Sequence, residues 1–396
     1  MRKLHLLAAA GLLVAPIAAQ AAPLDELLAD NGVVAADGEA ARLHYKGGTR
    51  LEFPDAGFDM KLNLQIQSRY TYADNNDGDR VAAGLAPAGD TSGFSMRRVR
   101  LVFSGNMLNK KFSYKLQNDF VGAADAGATD GARSSDLRDA WLQWNGDDVH
   151  LRMGQYKVPF SRQENVSSAN LQLVDRGIVN DFFSKGRNLG VMAHGEMSGL
   201  GYKASIHNGN SDGEGRNRPA TDNKHEGAIQ VYYNMGDYDR DLEGDYGNTD
   251  DMAMTIGAAA TYGQGSTAGV DFDETNVNVD LGLNCAGFSL QGEYYFRNTD
   301  PDAGSSADDN GFYVQTGYFF VPQEWELAFR FGYLEPEKGT ATFDDEQEYA
   351  FALNYYLDGH NLKLQNGFVI DTMNDVAGGN NDITDFRYEL QLSGYF

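Results

Sequence analysis

The chain has 396 residues and a formal net charge of −25, with 46 Gly, 22 Phe and 21 Tyr against nine Pro and a single cysteine, Cys285. So acidic a balance excludes a nucleic-acid binder, which needs a basic face. One cysteine excludes an internal disulfide and offers no thiolate metal or redox pattern.

Residues 1–21, MRKLHLLAAAGLLVAPIAAQA, pair a basic start (Arg2, Lys3) with an apolar run from Leu4 to Ala19 and end in the small-x-small triplet Ala19-Gln20-Ala21. This is the pattern of a cleaved secretory signal. Loss of Arg2 and Lys3 takes the formal charge to about −27. Residues 22–48 read as a lead-in to a β-rich body spanning 49–396. Within it 24–43, with Leu24, Leu27, Leu28 and an Asn31-Gly32 break, is either a short helix or disordered. Beyond residue 21 no stretch offers eighteen consecutive apolar residues, so no transmembrane helix is expected.

Strict period-2 alternation dominates the body of the chain. Over 58–72, Phe58, Met60, Leu62, Leu64, Ile66, Tyr70 and Tyr72 share one phase; Asp59, Lys61, Asn63, Gln65, Gln67, Arg69 and Thr71 share the other. A helix would scatter these side chains, whereas a strand sorts them onto two faces. Further strands are expected at 94–105, 111–121, 136–145, 148–156, 187–197, 200–208, 225–235, 251–263, 275–284, 287–298, 311–320, 324–335, 346–357, 360–371 and 385–396. That makes sixteen strands, each long enough to cross a bilayer at a steep tilt, which takes roughly 9–11 residues. Short turns alternate with long polar loops, as in bacterial outer-membrane barrels. The acidic segment 236–250 is the exception, a long connection in a short-turn slot.

A soluble sandwich or solenoid would bury its apolar phase, yet the polar phase here is well populated in strand after strand. The expected fold is therefore all-β: a sixteen-stranded antiparallel transmembrane barrel, with water against the polar phase and lipid against the apolar one. Aromatics at strand ends (Tyr70 and Tyr72, Trp141 and Trp144, Tyr294 to Phe296, Phe319 and Phe320, Tyr395 and Phe396) are expected to form the interfacial girdles.

The 157–186 loop is long for a hairpin connection and carries Leu171, Leu173, Val174, Ile178, Val179, Phe182 and Phe183. Such side chains gain nothing in solvent, so the loop, the third on its side, is expected to fold into the lumen; the alternative is packing over the rim or a neighbouring subunit. It also brings Lys157, Arg162, Arg176 and Lys185, with Arg187 just after. Phase arithmetic turns Arg98 and Arg100 to the lumen, opposite Val99, Leu101 and Phe103, and does the same for Lys61, Arg69, Lys115 and Arg152. Arg97 is out of phase. A charge facing lipid near mid-bilayer costs about 2–4 kcal/mol, so either a bulge turns it inward or it reaches headgroups or a subunit interface. Basic groups gathered in a narrow passage favour anions; the alternative is neutralisation by wall acids such as Asp119 and Asp139.

The acid-rich segments 74–79, 237–251, 300–309 and 343–348 are expected to be solvated, or to bridge through divalent cations to lipopolysaccharide. None has the spacing of a calcium loop. The seven histidines show no metal spacing, and neither Ser161 nor Ser184 has an evident base. No metal, cofactor or catalytic residue is expected.

Gly154-Gln155-Tyr156-Lys157-Val158-Pro159-Phe160-Ser161 followed by Ser167-Ser168, Gly186-Arg187-Asn188-Leu189-Gly190-Val191, Leu137-Arg138-Asp139-Ala140-Trp141, the Arg97-Arg98 pair and the C-terminal aromatic together resemble the porin O and P family, the phosphate-selective porins. The resemblance spans essentially the whole mature chain. It implies a trimeric sixteen-stranded porin of the bacterial outer membrane with loop 3 inside, passing small phosphate-like anions and other hydrophilic solutes. Arg97 and Arg98 match the family's anion-holding pair and Lys61 a wall lysine. Ala169 stands where the family's phosphate-specific members carry a loop lysine, and Glu335 and Glu337 where they carry basic residues; both departures bear on strict phosphate selectivity. Two other functions are held against the anion channel: a general-diffusion porin with weak or cation preference, and a barrel serving adhesion or envelope structure.

Overall fold

The computed structural model describes residues 42–121, 136–209, 224–267, 270–337, 342–376 and 381–396. A short hairpin, β1 (Arg42–Tyr45) and β2 (Thr49–Phe53), precedes sixteen long antiparallel strands. These are β3 (Phe58–Asp74), β4 (Thr91–Met107), β5 (Phe112–Asp119), β6 (Asp136–Asn145), β7 (His150–Lys157), β8 (Arg187–Met197), β9 (Leu200–His207) and β10 (Glu226–Met235). The series continues with β11 (Ala253–Thr267), β12 (Val270–Cys285), β13 (Phe288–Pro301), β14 (Ala307–Val321), β15 (Trp325–Glu335), β16 (Asp345–Asp358), β17 (Leu362–Asn374) and β18 (Ile383–Tyr395). Each pairs with the next, and β18 returns to β3 from Phe386↔Asp74 to Tyr395↔Gln65, closing the barrel. All sixteen expected strands are present; β12 and β14 run several residues further than their alternation indicates.

Closure divides every strand into an inward and an outward phase. On β3 the inward phase, Asn63, Gln65, Gln67 and Arg69, is buried and polar. The outward phase around the barrel is large and apolar: Leu142, Met153, Ile206, Ile229, Ile256, Leu281 and Leu327 are all exposed. At about 25 cal/mol per Å² such a belt is costly in water, and it matches hydrocarbon. Among the described residues no helix is long and apolar enough to cross a membrane; the strands form the crossing surface.

The last residues of the expected 22–48 lead-in, 42–48, form a hairpin with 49–53, whose second strand pairs onto β3 from Thr49↔Leu62 to Phe53↔Phe58; residues 22–41 lie outside the described ones. Two expectations are corrected. Not all the strand-end aromatics belong to a girdle. Trp144, Tyr294, Phe320 and Phe396 are exposed on the outside, but Tyr295 and Phe319 are buried inward, because neighbours on a strand point to opposite faces. Finally, parts of the acidic 236–252 connection are buried rather than solvated: Tyr238, Glu243 and Asp245 have little exposed surface.

Loop 158–186 carries two short helices, α1 (Arg162–Asn165) and α2 (Ile178–Phe183). Ser161 caps α1, its Oγ accepting from the Glu164 N–H at 3.0 Å. Val158, Phe160, Val179 and Phe183 pack with Tyr295, Tyr313 and Leu334 of the wall, which is where this loop's apolar residues find partners.

Candidate functional site

The site is built from β4 outward. Gln67 pairs with Arg98, but Ser68 pairs with Met96, so Arg97 is the extra residue of a bulge. The bulge resolves the phase conflict: Arg97 turns to the interior and its Nε donates to Asp175 Oδ2 at 3.1 Å. Arg98 donates to Gln67 Oε1 at 2.8 Å and to Asp175 Oδ1 at 3.0 Å. Arg69 donates to Asp175 at 2.7 Å and to Glu389 at 2.9 Å. Asp175 thus gathers three guanidinium groups. Burial by itself would raise its carboxyl, but Arg98, Arg69 and Arg97 outweigh that and hold it well below the usual carboxylate range.

The next layer follows the same rule of paired charge. Arg100 Nε donates to Asp119 at 2.6 Å and NH1 to the Ser168 hydroxyl at 2.9 Å. Arg187 and Lys115 share Asp139, at 2.9 and 2.8 Å. Arg176 lies 3.1 Å from Glu164 and caps the carbonyls of Gln163 and Val166. Burial pushes the Glu164 carboxyl up, but Arg176 and Lys157 overcome this and bring it down to about 2. Lys157 itself donates to the carbonyls of Glu164 and Val166, at 2.6 and 2.9 Å. Arg152 donates to Gln143 Oε1 at 2.9 Å and stacks 4.1 Å above the Trp141 ring. Trp141 therefore serves the interior, a further departure from the expected girdle.

Between loop 158–186 and strands β4–β9 lies a cavity of about 970 Å³. Eight of the eleven expected anion-site residues line it: Arg97, Arg98, Arg100, Lys115, Arg152, Lys157, Arg176 and Arg187. Three do not. Arg69 sits behind Asp175. Lys61 lies under the β1–β2 turn, against Gly48. Arg162 is fully buried elsewhere, its Nε 3.4 Å from Asp280 and its NH1 donating to the Tyr238 hydroxyl at 3.2 Å. Its helix turns it from the cavity toward β12.

Residues 60–392 match the family described as phosphate-selective porin O and P. The chain belongs to that family. Its fold is similar to the outer-membrane channel DcaP of Acinetobacter baumannii (TM-score 0.60, 16% identity, 86% of this chain and 98% of that one). It is likewise similar to an anion-selective porin from Comamonas acidovorans (TM-score 0.59, 11% identity, 84% and 99%) and to OmpT of Vibrio cholerae in its trimer form (TM-score 0.54, 12% identity, 84% and 99%). The porin is a passive diffusion channel of the bacterial outer membrane, and its family and fold are those of a channel rather than an enzyme.

Sequence reasoning missed two basic groups of this porin's cavity, Arg138 and Lys203. Lys203 alternates against Tyr202 and Ala204 on β9, so the phase rule applied beyond the fifth strand finds it. Arg138 is hidden by a second bulge, where Gln117 pairs with Asp139 and Asn118 with Leu137. The lining now holds ten basic side chains against six acidic ones, Asp119, Asp136, Asp139, Glu164, Asp181 and Asp241. Asp181 opens onto the cavity yet is walled in by the barrel; that enclosure and the charge of Asp175 push its carboxyl up to about 6. Among the described residues no group of His, Cys, Asp and Glu is placed to hold a metal.

Proposed function

We propose that the porin prefers anions, phosphate-like ones among them, and that loop 158–186 lies across the lumen as its constriction. The observation that carries the preference is the charge of the cavity lining: ten basic side chains to six acidic ones in a chain whose formal net charge is −25. Fixed positive charge in a narrow passage of low dielectric raises the local anion concentration and offers charge-assisted hydrogen bonds in place of hydration. The loop's position is supported by its partners. Ser168 O accepts from Gln67 on β3 at 3.0 Å, Glu293 on β13 accepts from the Gln163 N–H at 2.7 Å, and Asn354 on β16 donates to Gln172 O at 2.7 Å. The loop leaves the wall after β7 and re-enters it at β8, so its partners on β13 and β16 lie across the ring from its roots.

The trimer form of the similar Vibrio cholerae protein supports a homotrimer for this chain. Its apolar outer belt meets outer-membrane lipid, lipopolysaccharide included, and residues 1–21 direct export. The carboxylates Asp119, Asp139 and Asp175 favour a second reading, general diffusion with weak preference. Planar-bilayer reversal potentials in a chloride gradient separate the two: a potential on the anion side carries the first, and one near zero or on the cation side the second. Under the anion reading, phosphate blocks chloride current and Arg98→Ala or Arg100→Ala weakens the block. Parental block in both variants removes these arginines from the filter. Absence of stepwise conductance points to an envelope role.

A further inference from the structure

Connections alternate ends in an antiparallel barrel, so the one after β10, residues 236–252, starts at the mouth opposite loop 158–186. Its neighbours at that mouth are brief, such as 198–199 and 286–287. Instead of hanging in water, this segment meets the loop. Asn170 donates to the Asp241 carbonyl at 2.9 Å, and the Gln172 N–H donates to Glu243 Oε2 at 2.9 Å. Glu243, 2% exposed, also accepts from Gln291 of β13 at 3.2 Å and Gln315 of β14 at 3.0 Å. Arg240 reaches Asp280 of β12 at 2.8 Å, and Tyr246 packs on Phe319 and Tyr356. The wall is shaped to receive both elements: a Cβ at Gly282 would overlap the Tyr238 hydroxyl, and one at Gly317 the Gln172 amide. Asp241, by contrast, is exposed and lines the same cavity as Lys203 and Arg152.

We infer that 236–252 is a second constriction element of this channel and that Asp241 is a residue setting its ion preference. The segment joins loop 158–186 in a partition that closes the part of the barrel lined by β10–β18. Solutes are left the passage along β4–β9. This rests on the reading that the loop spans the lumen. Asp241 contributes the negative charge that keeps the basic passage from holding anions too tightly, since conduction needs sites weak enough to leave.

Three variants test this in planar bilayers. Glu243→Ala removes the carboxylate that binds loop to segment, and is expected to raise single-channel conductance about two-fold with added current noise, as a wider and looser passage conducts more; Glu243→Gln serves if the alanine variant does not fold. Asp241→Asn is expected to move the reversal potential further toward the anion side. Asp241→Cys in a Cys285→Ser background is expected to lose current in steps when a charged methanethiosulfonate is added. Parental conductance and noise in the Glu243 variant, together with Asp241→Cys channels indifferent to the reagent, overturn the inference; an unmoved potential in Asp241→Asn removes its role in preference. If the parent itself prefers cations, the anion reading fails while the reagent sensitivity of position 241 still stands or falls alone.

Discussion

The two sides of this barrel are written in the same alternating pattern and used in opposite ways. Along β10–β18 and β3 the inward polar groups are spent on protein: Gln230 donates to the Phe160 carbonyl, Lys363 to the Leu171 carbonyl, and Asn354 to Glu326 as well as to Gln172. Along β4–β9 they border a cavity of about 970 Å³. One side behaves like a protein core assembled from amides and carboxylates; the other borders open space with paired charges. A buried polar group without its partner costs about 1–3 kcal/mol, whereas a wall group facing water loses little when its neighbour is removed. Substitutions on the first side should therefore move stability, and those on the second selectivity.

The largest effect is expected at Glu293, on the packed side. It accepts from the Arg162 and Gln163 N–H groups at 2.9 and 2.7 Å, from Asn278 at 3.0 Å and from the Tyr313 hydroxyl at 2.8 Å. Glu293→Ala strands several buried donors and should cost about 3 kcal/mol or more. The readout is the temperature at which the folded species disappears in heat-modifiability gels; Glu293→Gln, which keeps one acceptor, should fall between. An unchanged transition in the alanine variant breaks the contrast between the two sides.

The combined change Arg152→Ala and Lys203→Ala on the open side should do the reverse. Arg152 keeps a stacking contact with Trp141, and each cation lost costs about 1 kcal/mol or less in stability. The reversal potential should shift clearly toward cations, since two fixed positive charges leave the lining. Large destabilisation with an unmoved potential refutes it.

The smallest effect concerns pH. With its carboxyl pushed up to about 6 by enclosure and by Asp175, Asp181 is charged at pH 7 and neutral at pH 5. Glu164 and Asp175, both held low by arginines, stay charged across that window. Acidification then removes a negative charge from the passage, and anion preference should rise as pH falls through 6. The component due to Asp181 is the part of that rise absent in Asp181→Asn; equal rises in parent and variant assign it to other groups.

Much of this molecule was legible in its sequence because a strand reports its two faces every second residue. The sixteen crossings, the alternation of turns and loops, and the inward turn of Arg98 and Arg100 all follow from that periodicity. Arg97 was not settled by it, because a single bulged residue erases phase locally, and Arg138 was hidden for the same reason. Nor does periodicity say whether an inward side chain meets water or protein. Arg69 and Arg98 show the same phase, yet Arg69 is sealed between Asp175 and Glu389 while Arg98 reaches the cavity. The deciding partner, Asp175, lies 106 residues from Arg69 in the chain, and only the path of a loop brings the two together. The same holds for Glu243 and its ring of glutamines, which a reading of local charge assigns to solvent.

The N-terminal hairpin bears on how the ring is sealed. One edge of β3 is shared end to end: β2 covers it over 58–62 and β18 takes over from Gln65 to Asp74. Between them, Leu64 exchanges both backbone hydrogen bonds with the terminal Phe396, at 2.7 and 3.0 Å. The seam of the cylinder is thus stitched by the hairpin along one stretch and by β18 with Phe396 along the rest. Without the hairpin, the first residues of β3 would present bare amides and carbonyls, an open template for unwanted pairing during insertion. The hairpin, which lies across the expected boundary between lead-in and barrel at 48–49, is in this sense the selvedge of the sheet.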